Sequence, residues 1–179
     1  MRTFLRDALT TLILAAVIFF GLQFTIQHSV VISPSMTPSL QVNQHLIINK
    51  VVYKFREPER GDIIVFRSPN NQQDDYIKRI IGLPGESVEI KEGTVYIHKG
   101  NGNVLPLDEP YVVEMARNAF RGRTIPDNEY FVLGDNRNNS LDSRNGWTLP
   151  RENIIGKAWI SLWRPEWWGF MPDYVYGRE

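Results

Sequence analysis

The sequence predicts one membrane-spanning helix followed by one mainly β, largely antiparallel domain. Three observations carry that expectation. The 20 Lys and Arg and the 20 Asp and Glu of the 179-residue chain are unevenly placed, and none falls in the 42 residues between Asp7 and Lys50. Inside that gap, residues 8–26 form an almost unbroken apolar run. Beyond Gln27, short β-branched and aromatic runs alternate with Gly, Pro, Asn and Asp, the punctuation of strands and turns.

The apolar run, ALTTLILAAVIFFGLQFTI, has only Thr10, Thr11, Gln23 and Thr25 as polar members of its 19 residues. As a helix it would be about 28 Å long, close to the hydrocarbon thickness of a bilayer, with its backbone hydrogen bonds closed internally. A buried core helix of this length would show more of a polar face. A cleaved targeting sequence would have a shorter apolar run and a small-residue exit, whereas this one leaves through Phe24-Thr25-Ile26-Gln27-His28. Arg2 and Arg6 precede the run, and no Lys or Arg follows before Lys50. That asymmetry predicts a single pass with residues 1–7 cytoplasmic, 8–26 in the membrane and 27–179 on the far side.

Behind the span, strands are expected at residues 45–55, 62–66, 76–81, 87–90, 94–97, 130–133 and 157–163. Lys91-Glu92-Gly93 and Leu83-Pro84-Gly85-Glu86 read as turns, and residues 150–155 as one or two helical turns. Residues 99–129, with Gly100, Gly102, Pro106, Pro110, Gly122 and Pro126, read as loop. No internal repeat or low-complexity tract is present.

Composition narrows the chemistry. The absence of Cys excludes disulfides, a Cys nucleophile and thiolate metal sites. His28, His45 and His98 have no ligand-like spacing, so neither a metal centre nor another cofactor is expected. A net charge of zero does not suit a general nucleic-acid binder. An enzyme built on this chain would work through Ser, Lys, Asp, Glu, Tyr or Arg.

Three polar clusters stand out. Residues 33–40, SPSMTPSL, begin just past the span and read on their own as a Ser/Pro linker or as a site near the membrane surface. Residues 76–86, YIKRIIGLPGE, read as a strand and turn in which Lys78 shares a face with Tyr76 and Ile80. A lysine held among apolar groups loses hydration of its ammonium form and its pKa falls; an edge-strand lysine reaching out to water is the other reading. Residues 134–146, GDNRNNSLDSRNG, read as a solvated loop or as a hydrogen-bonded network in which Asp142 pairs with Arg144 or Arg79. No G-x-S-x-G elbow, P-loop or dinucleotide fingerprint occurs, and no His has a triad-like context. A serine activated by lysine remains.

Taken in order, the motifs resemble those of the type I signal peptidases, membrane-anchored Ser-Lys proteases. The resemblance rests on the N-terminal span, the Ser33–Leu40 motif, RGDIIVF at residues 60–66, YIKRIIGLPGE at 76–86 and GDNRNNSLDSR at 134–144, and so covers almost the whole chain. It implies a serine endopeptidase that removes signal peptides from exported preproteins after small residues, with Ser35 as nucleophile and Lys78 as general base. It further implies that Ser33 contributes to the oxyanion site, that Ser140 orients the Lys78 amine, and that Asp135, Asp142, Arg144 and Arg79 form the supporting shell. No cofactor or metal is implied; the partners would be signal peptides and the bilayer, with a monomer sufficient for activity and the catalytic domain outside the cell membrane or an equivalent membrane. Asn138 stands where the family often has Asp, and Asn145-Gly146-Trp147 departs from its usual aromatic-Gly order. The specificity pockets are expected around Ile77 and residues 30–32.

All five Trp lie from Trp147 onward, which reads either as a membrane-interface patch or as packing across sheets. The competing function is an anchored β module that binds envelope peptides without cutting them.

Overall fold

The computed structural model describes residues 2–69, 71, 73–163, 165–172, 174 and 176. Helix α1 spans Arg2–Thr25, and its Arg6–Thr25 stretch is long and apolar enough to cross a membrane, with none of its most apolar window buried in the protein. Its threonines turn their hydroxyls back onto the helix: Thr10 donates to the Arg6 carbonyl at 2.8 Å, Thr11 to Asp7 at 2.9 Å and Thr25 to Gly21 at 3.0 Å. Polar groups satisfied within the helix are compatible with lipid.

The helix runs directly into β1 (Ile26–Val30), so Ile26 belongs to the domain and not to the helix as the sequence suggested. The carbonyl of Thr25 accepts the Lys50 amide at 2.9 Å, and β1 pairs antiparallel with β2 (His45–Asn49) from Ile26↔Asn49 to Val30↔His45. The domain continues through β3 (Ile63–Arg67), β4 (Asp75–Gly82), β5 (Ser87–Lys91), β6 (Thr94–His98), β7 (Val104–Pro106), β8 (Phe120–Arg121), β9 (Glu129–Leu133), β10 (Leu149–Pro150), β11 (Ile154–Trp163) and β12 (Gly169–Phe170). The larger sheet has the order β1-β2-β11-β3-β4-β9-β10, with β12 on β11; the smaller has the order β7-β6-β5-β8. Every strand pairing among the described residues is antiparallel.

Strand alternation sorts the core. On β3, Ile63 and Val65 join one cluster with Val31, Met36 and Leu46, while Ile64 and Phe66 join another with Ile80, Val132 and Leu149. Successive side chains point to opposite faces, so a run buried on both sides loses its polar alternation. A third cluster, around Ile81, Val88, Ile97, Phe131 and Leu133, joins the smaller sheet to the larger.

Several expectations change. The strand expected over 45–55 stops at Asn49, whose Oδ1 accepts the Val51 and Val52 amides at 3.1 and 3.0 Å and bends the chain into a 3₁₀ turn at Val52–Lys54. Residues 99–129 are not all loop: β7 and β8 cover the two edges of the β5–β6 hairpin. Residues 150–155 hold a single 3₁₀ turn, Arg151–Asn153. Both expected turns are present. Glu92 and Gly93 have φ of 52° and 83° between the paired Lys91 and Thr94, the tight two-residue hairpin turn. Gly85 has φ of 80° after Pro84, and the Glu86 amide returns to the Leu83 carbonyl at 3.1 Å.

Candidate active site

Ser35 lies on a 3₁₀ turn, Pro34–Met36, just beyond β1. Proline at the first position fits the fixed φ of a helix start, and the wholly buried Met36 and Leu40 anchor the turn in the core. Lys78 comes from β4, where it stands opposite Ile64 of β3. The two meet 43 residues apart in sequence: Lys78 Nζ is 2.7 Å from Ser35 Oγ and donates to the Ile77 carbonyl at 2.9 Å. Both are buried, with Ser35 5% and Lys78 4% exposed. Ser33 Oγ donates to Ser35 Oγ at 3.2 Å, so the three predicted groups form one chain.

Burial is the largest influence on Lys78. Loss of ammonium hydration lowers its pKa from 10.5 to about 8, against the opposing pull of Asp142 and Asp135. A shift of that size costs about 3 kcal/mol of folding free energy. The dyad opens on a cleft of about 690 Å³ whose apolar wall includes Val30, Ile32, Leu46, Val65 and Ile77. Ile77 and residues 30–32, around which the specificity pockets were expected, line this cleft.

The turn after β9 closes the site from the other side. β4 pairs with β9 through Arg79↔Leu133, and Gly134 follows directly after that pair. A Cβ on Gly134 would lie 2.2 Å from Ser140 Oγ and 2.5 Å from the Ser35 carbonyl, so no larger residue fits. The next residues hold the Ser35 turn: the Asn136 amide donates to the Ser35 carbonyl at 3.0 Å, and its Nδ2 to the Pro34 carbonyl at 3.2 Å. Ser140 Oγ is buried and has no hydrogen-bond partner among the described residues.

The charged residues pair in a definite way. Arg79 makes a two-bond ion pair with Asp135, at 2.9 and 2.7 Å, with both side chains sealed from solvent. Asp142 instead takes Arg144, at 2.8 Å twice, and accepts the Gly134 amide at 3.1 Å. Asp142 also caps the Ser143–Asn145 turn, with Asn145 reciprocating onto the Asp142 amide and Gly146 closing it at φ of 91°. That reciprocal cap gives the Asn145-Gly146 order its local role. Asn138 uses both ends of its amide, accepting the Arg117 amide at 3.0 Å and donating to the Met115 carbonyl at 3.0 Å, which a carboxylate cannot do.

Three positions were missed from the sequence. Asn136 was inside a quoted motif, and its amide side chain next to a proposed site was the available signal. Arg137 is buried and doubly bonded to Glu109 at 2.6 Å, a partner 28 residues away. Asp62, of the RGDIIVF motif, collects Tyr53 Oη at 2.9 Å, Arg56 at 3.0 Å and Lys157 at 2.9 Å. Burial pushes the Asp62 pKa up, but Arg56, Lys157 and the Glu59 amide outweigh it and hold it below the usual carboxylate value.

Comparison with known proteins gives the family. A family model described as signal peptidase, peptidase S26, matches residues 4–163. A probable signal peptidase I-2 of Synechocystis is 41% identical over 86% of this chain and 71% of its own length. The signal peptidase I of Leptolyngbya laminosa is 40% identical over 89% and 80%. A crystal structure of a signal peptidase I from Enterococcus faecalis superposes with a TM-score of 0.50 at 35% identity, covering 57% of this chain and 97% of that one. A Ser and a Lys in hydrogen-bond contact, on a mainly β fold behind an apolar helix, are thus accompanied by a match over most of the sequence, and the chain belongs to the signal peptidases of peptidase family S26.

Proposed function

We propose that the chain works as a type I signal peptidase in which Ser35 is the nucleophile and Lys78 its general base. The observation that carries the reading is the 2.7 Å contact between Lys78 Nζ and Ser35 Oγ in a buried, apolar-walled cleft. Neutral Lys78 takes the Ser35 proton as Oγ attacks the scissile carbonyl, and the resulting ammonium protonates the leaving amine. The Ser33 hydroxyl and the Ser35 amide receive the oxyanion. Water activated by Lys78 then releases the acyl-enzyme. Ser140, with its unpartnered buried hydroxyl, is assigned to orienting the Lys78 amine. Asp135, Asp142, Arg144 and Arg79 hold the surrounding backbone.

The substrate is a preprotein signal peptide, cut after small residues. β4 pairs with β3 over Asp75 to Arg79 but meets β9 only from Arg79 onward, which leaves its first half free to receive an extended peptide on the cleft side. The apolar helix up to Thr25 acts as the membrane anchor, residues 1–7 stay cytoplasmic and the domain from Ile26 onward is extracytoplasmic and catalytic, an orientation supported by Arg2 and Arg6. Trp168 and Phe170, 67% and 72% exposed, support contact of the C-terminal segment with lipid; Trp147 packs instead against Phe66 in the core. One chain suffices, because every proposed catalytic group comes from it.

Detergent-solubilised protein is expected to cut a preprotein carrying an Ala-x-Ala site. Ser35→Ala and Lys78→Ala should abolish cleavage, and Ser33→Ala should lower kcat by about 10²–10³. Near-normal cleavage by Lys78→Ala would overturn the mechanism, and no cleavage by the unaltered protein would favour a module that binds peptides without cutting them.

A further inference from the structure

The guanidinium of Arg79 is covered by two tyrosines that the sequence motifs do not include. Tyr111, between β7 and β8, lies with its ring centroid 3.9 Å from Arg79 Cζ, and Tyr174, in the C-terminal segment, lies at 5.0 Å. The two rings are 4.9 Å apart. The Tyr176 hydroxyl bonds to that of Tyr111, which donates to Glu109 at 2.7 Å. Glu109 holds Arg137, whose Nε donates to the Gly134 carbonyl at 3.1 Å. A second line runs through Gly61, which accepts from Arg79 at 3.0 Å and whose Cβ, if present, would lie 2.6 Å from the Tyr174 carbonyl. Burial raises the pKa of both Tyr111 and Tyr176, so these phenols stay neutral at working pH.

An ion pair without water around it attracts strongly, and hydration weakens it. Asp135 has two cations within its influence: Arg79, which it bonds, and Lys78, whose ammonium form it favours. The other groups around Lys78 are Ser33 and Ser35 from the nucleophile turn, Tyr76 on its own strand at 5.6 Å, and Asp142, itself paired with Arg144, from the turn after β9. Asp74 and Asp75 line the same cleft.

We propose that Tyr174 and Tyr176 are positioning residues for signal-peptide cleavage: with Tyr111 they form a lid that keeps the Arg79–Asp135 pair dry, and through it fixes β4 and the Gly134 turn so that Lys78 stays against Ser35. The proposal rests on the Ser35–Lys78 reading. Without the lid, water reaches Arg79, Asp135 is less neutralised, and its charge acts more fully on Lys78. Lys78 then holds its proton more tightly, and the enzyme needs a higher pH to work.

The test is kcat/KM against pH for the full-length solubilised enzyme on a peptide with an Ala-x-Ala site, with folding checked by circular dichroism. In Tyr174→Ala the acid-limb midpoint should rise by about half a pH unit, with about threefold less activity at pH 7 and recovery at higher pH. Tyr174→Phe, which keeps the ring, should restore the original profile. Should Tyr174→Ala fail to fold, Tyr176→Phe removes one hydroxyl and should shift the midpoint in the same direction by less. An unmoved midpoint, or an equal loss at every pH, in a folded variant overturns the lid. Lys78→Met in the same assay separates the two ideas. If it is active, the dyad falls and the lid with it; if it is inactive beside an unmoved tyrosine variant, the lid alone falls.

Discussion

Lys78 and Arg79 are neighbours on β4, both basic and both almost wholly buried, and the protein treats them in opposite ways. Arg79 meets a carboxylate in two hydrogen bonds, and although burial works against its charge, Asp135 more than offsets it and raises its pKa. Lys78 meets a hydroxyl and a carbonyl, with no carboxylate in contact among the described residues, and burial lowers its pKa to about 8. Strand alternation sends the two side chains to different faces, so adjacent residues acquire different surroundings at no cost in chain length. A guanidinium suits the two-pronged pair because it does not give up its proton, whereas an amine gives it up when dehydrated. One cation is locked in an ion pair, and the other, on the proposed mechanism, is left to do chemistry.

The largest expected effect comes from removing the reactive member. Lys78→Met should lower kcat/KM by about 10⁴-fold or more, and yet the protein should become more stable. Between about pH 8 and 10.5 the unfolded chain binds more protons at Lys78 than the folded one, so stability rises with pH through that window and the full penalty applies below it. At pH 7 the variant should gain about 1–3 kcal/mol in denaturant unfolding, the penalty less the lost hydrogen bonds. Equal or lower stability would mean that Lys78 carries no burial penalty.

Removing the structural member should do the reverse. Arg79→Met leaves Asp135 buried and unpaired and should cost about 3–5 kcal/mol, read as a lower denaturation midpoint. Activity would fall as folded protein is lost and β4 loosens, and the acid limb of kcat/KM should move to higher pH because the unpaired Asp135 charge acts more fully on Lys78. A variant as stable as the parent would show that the pair is not needed to hold the strand.

The smallest effect sharpens the electrostatic part. Asp142 is the larger of the two charges raising the Lys78 pKa, so Asp142→Asn should move the acid limb of kcat/KM to lower pH by less than about one unit. Movement to higher pH would show that Asp142 acts on Lys78 through the shape of its turn and not through its charge.

The same contrast explains what could be read in advance. Ser35 and Lys78 were assigned through the resemblance of their contiguous motifs; on residue pattern alone the linker and edge-strand readings stayed open. The Arg79 partner was not fixed: Asp135 and Asp142 lie seven residues apart in one loop, and only the β4–β9 register puts Asp135 under the guanidinium. β7, β8, β10 and β12 were not anticipated because strands of two or three residues carry no periodicity. β1 was hidden because its first residue continues the apolar run of α1.

The sequence by itself determined the apolar helix, the longer strands and the Gly-bearing turns, because each depends on local pattern: apolar length, alternation and positive φ; its motifs pointed to Ser35 and Lys78 through their resemblance. Tertiary structure decided that the chain leaves α1 straight into a paired strand, that Asn136 clamps the Ser35 turn, and that Arg79 belongs to Asp135. It also decided that tyrosines from two distant segments cover that pair. These depend on strand register and on which charges lose their water together, and dehydration is set by the packing of segments that sequence distance does not reveal.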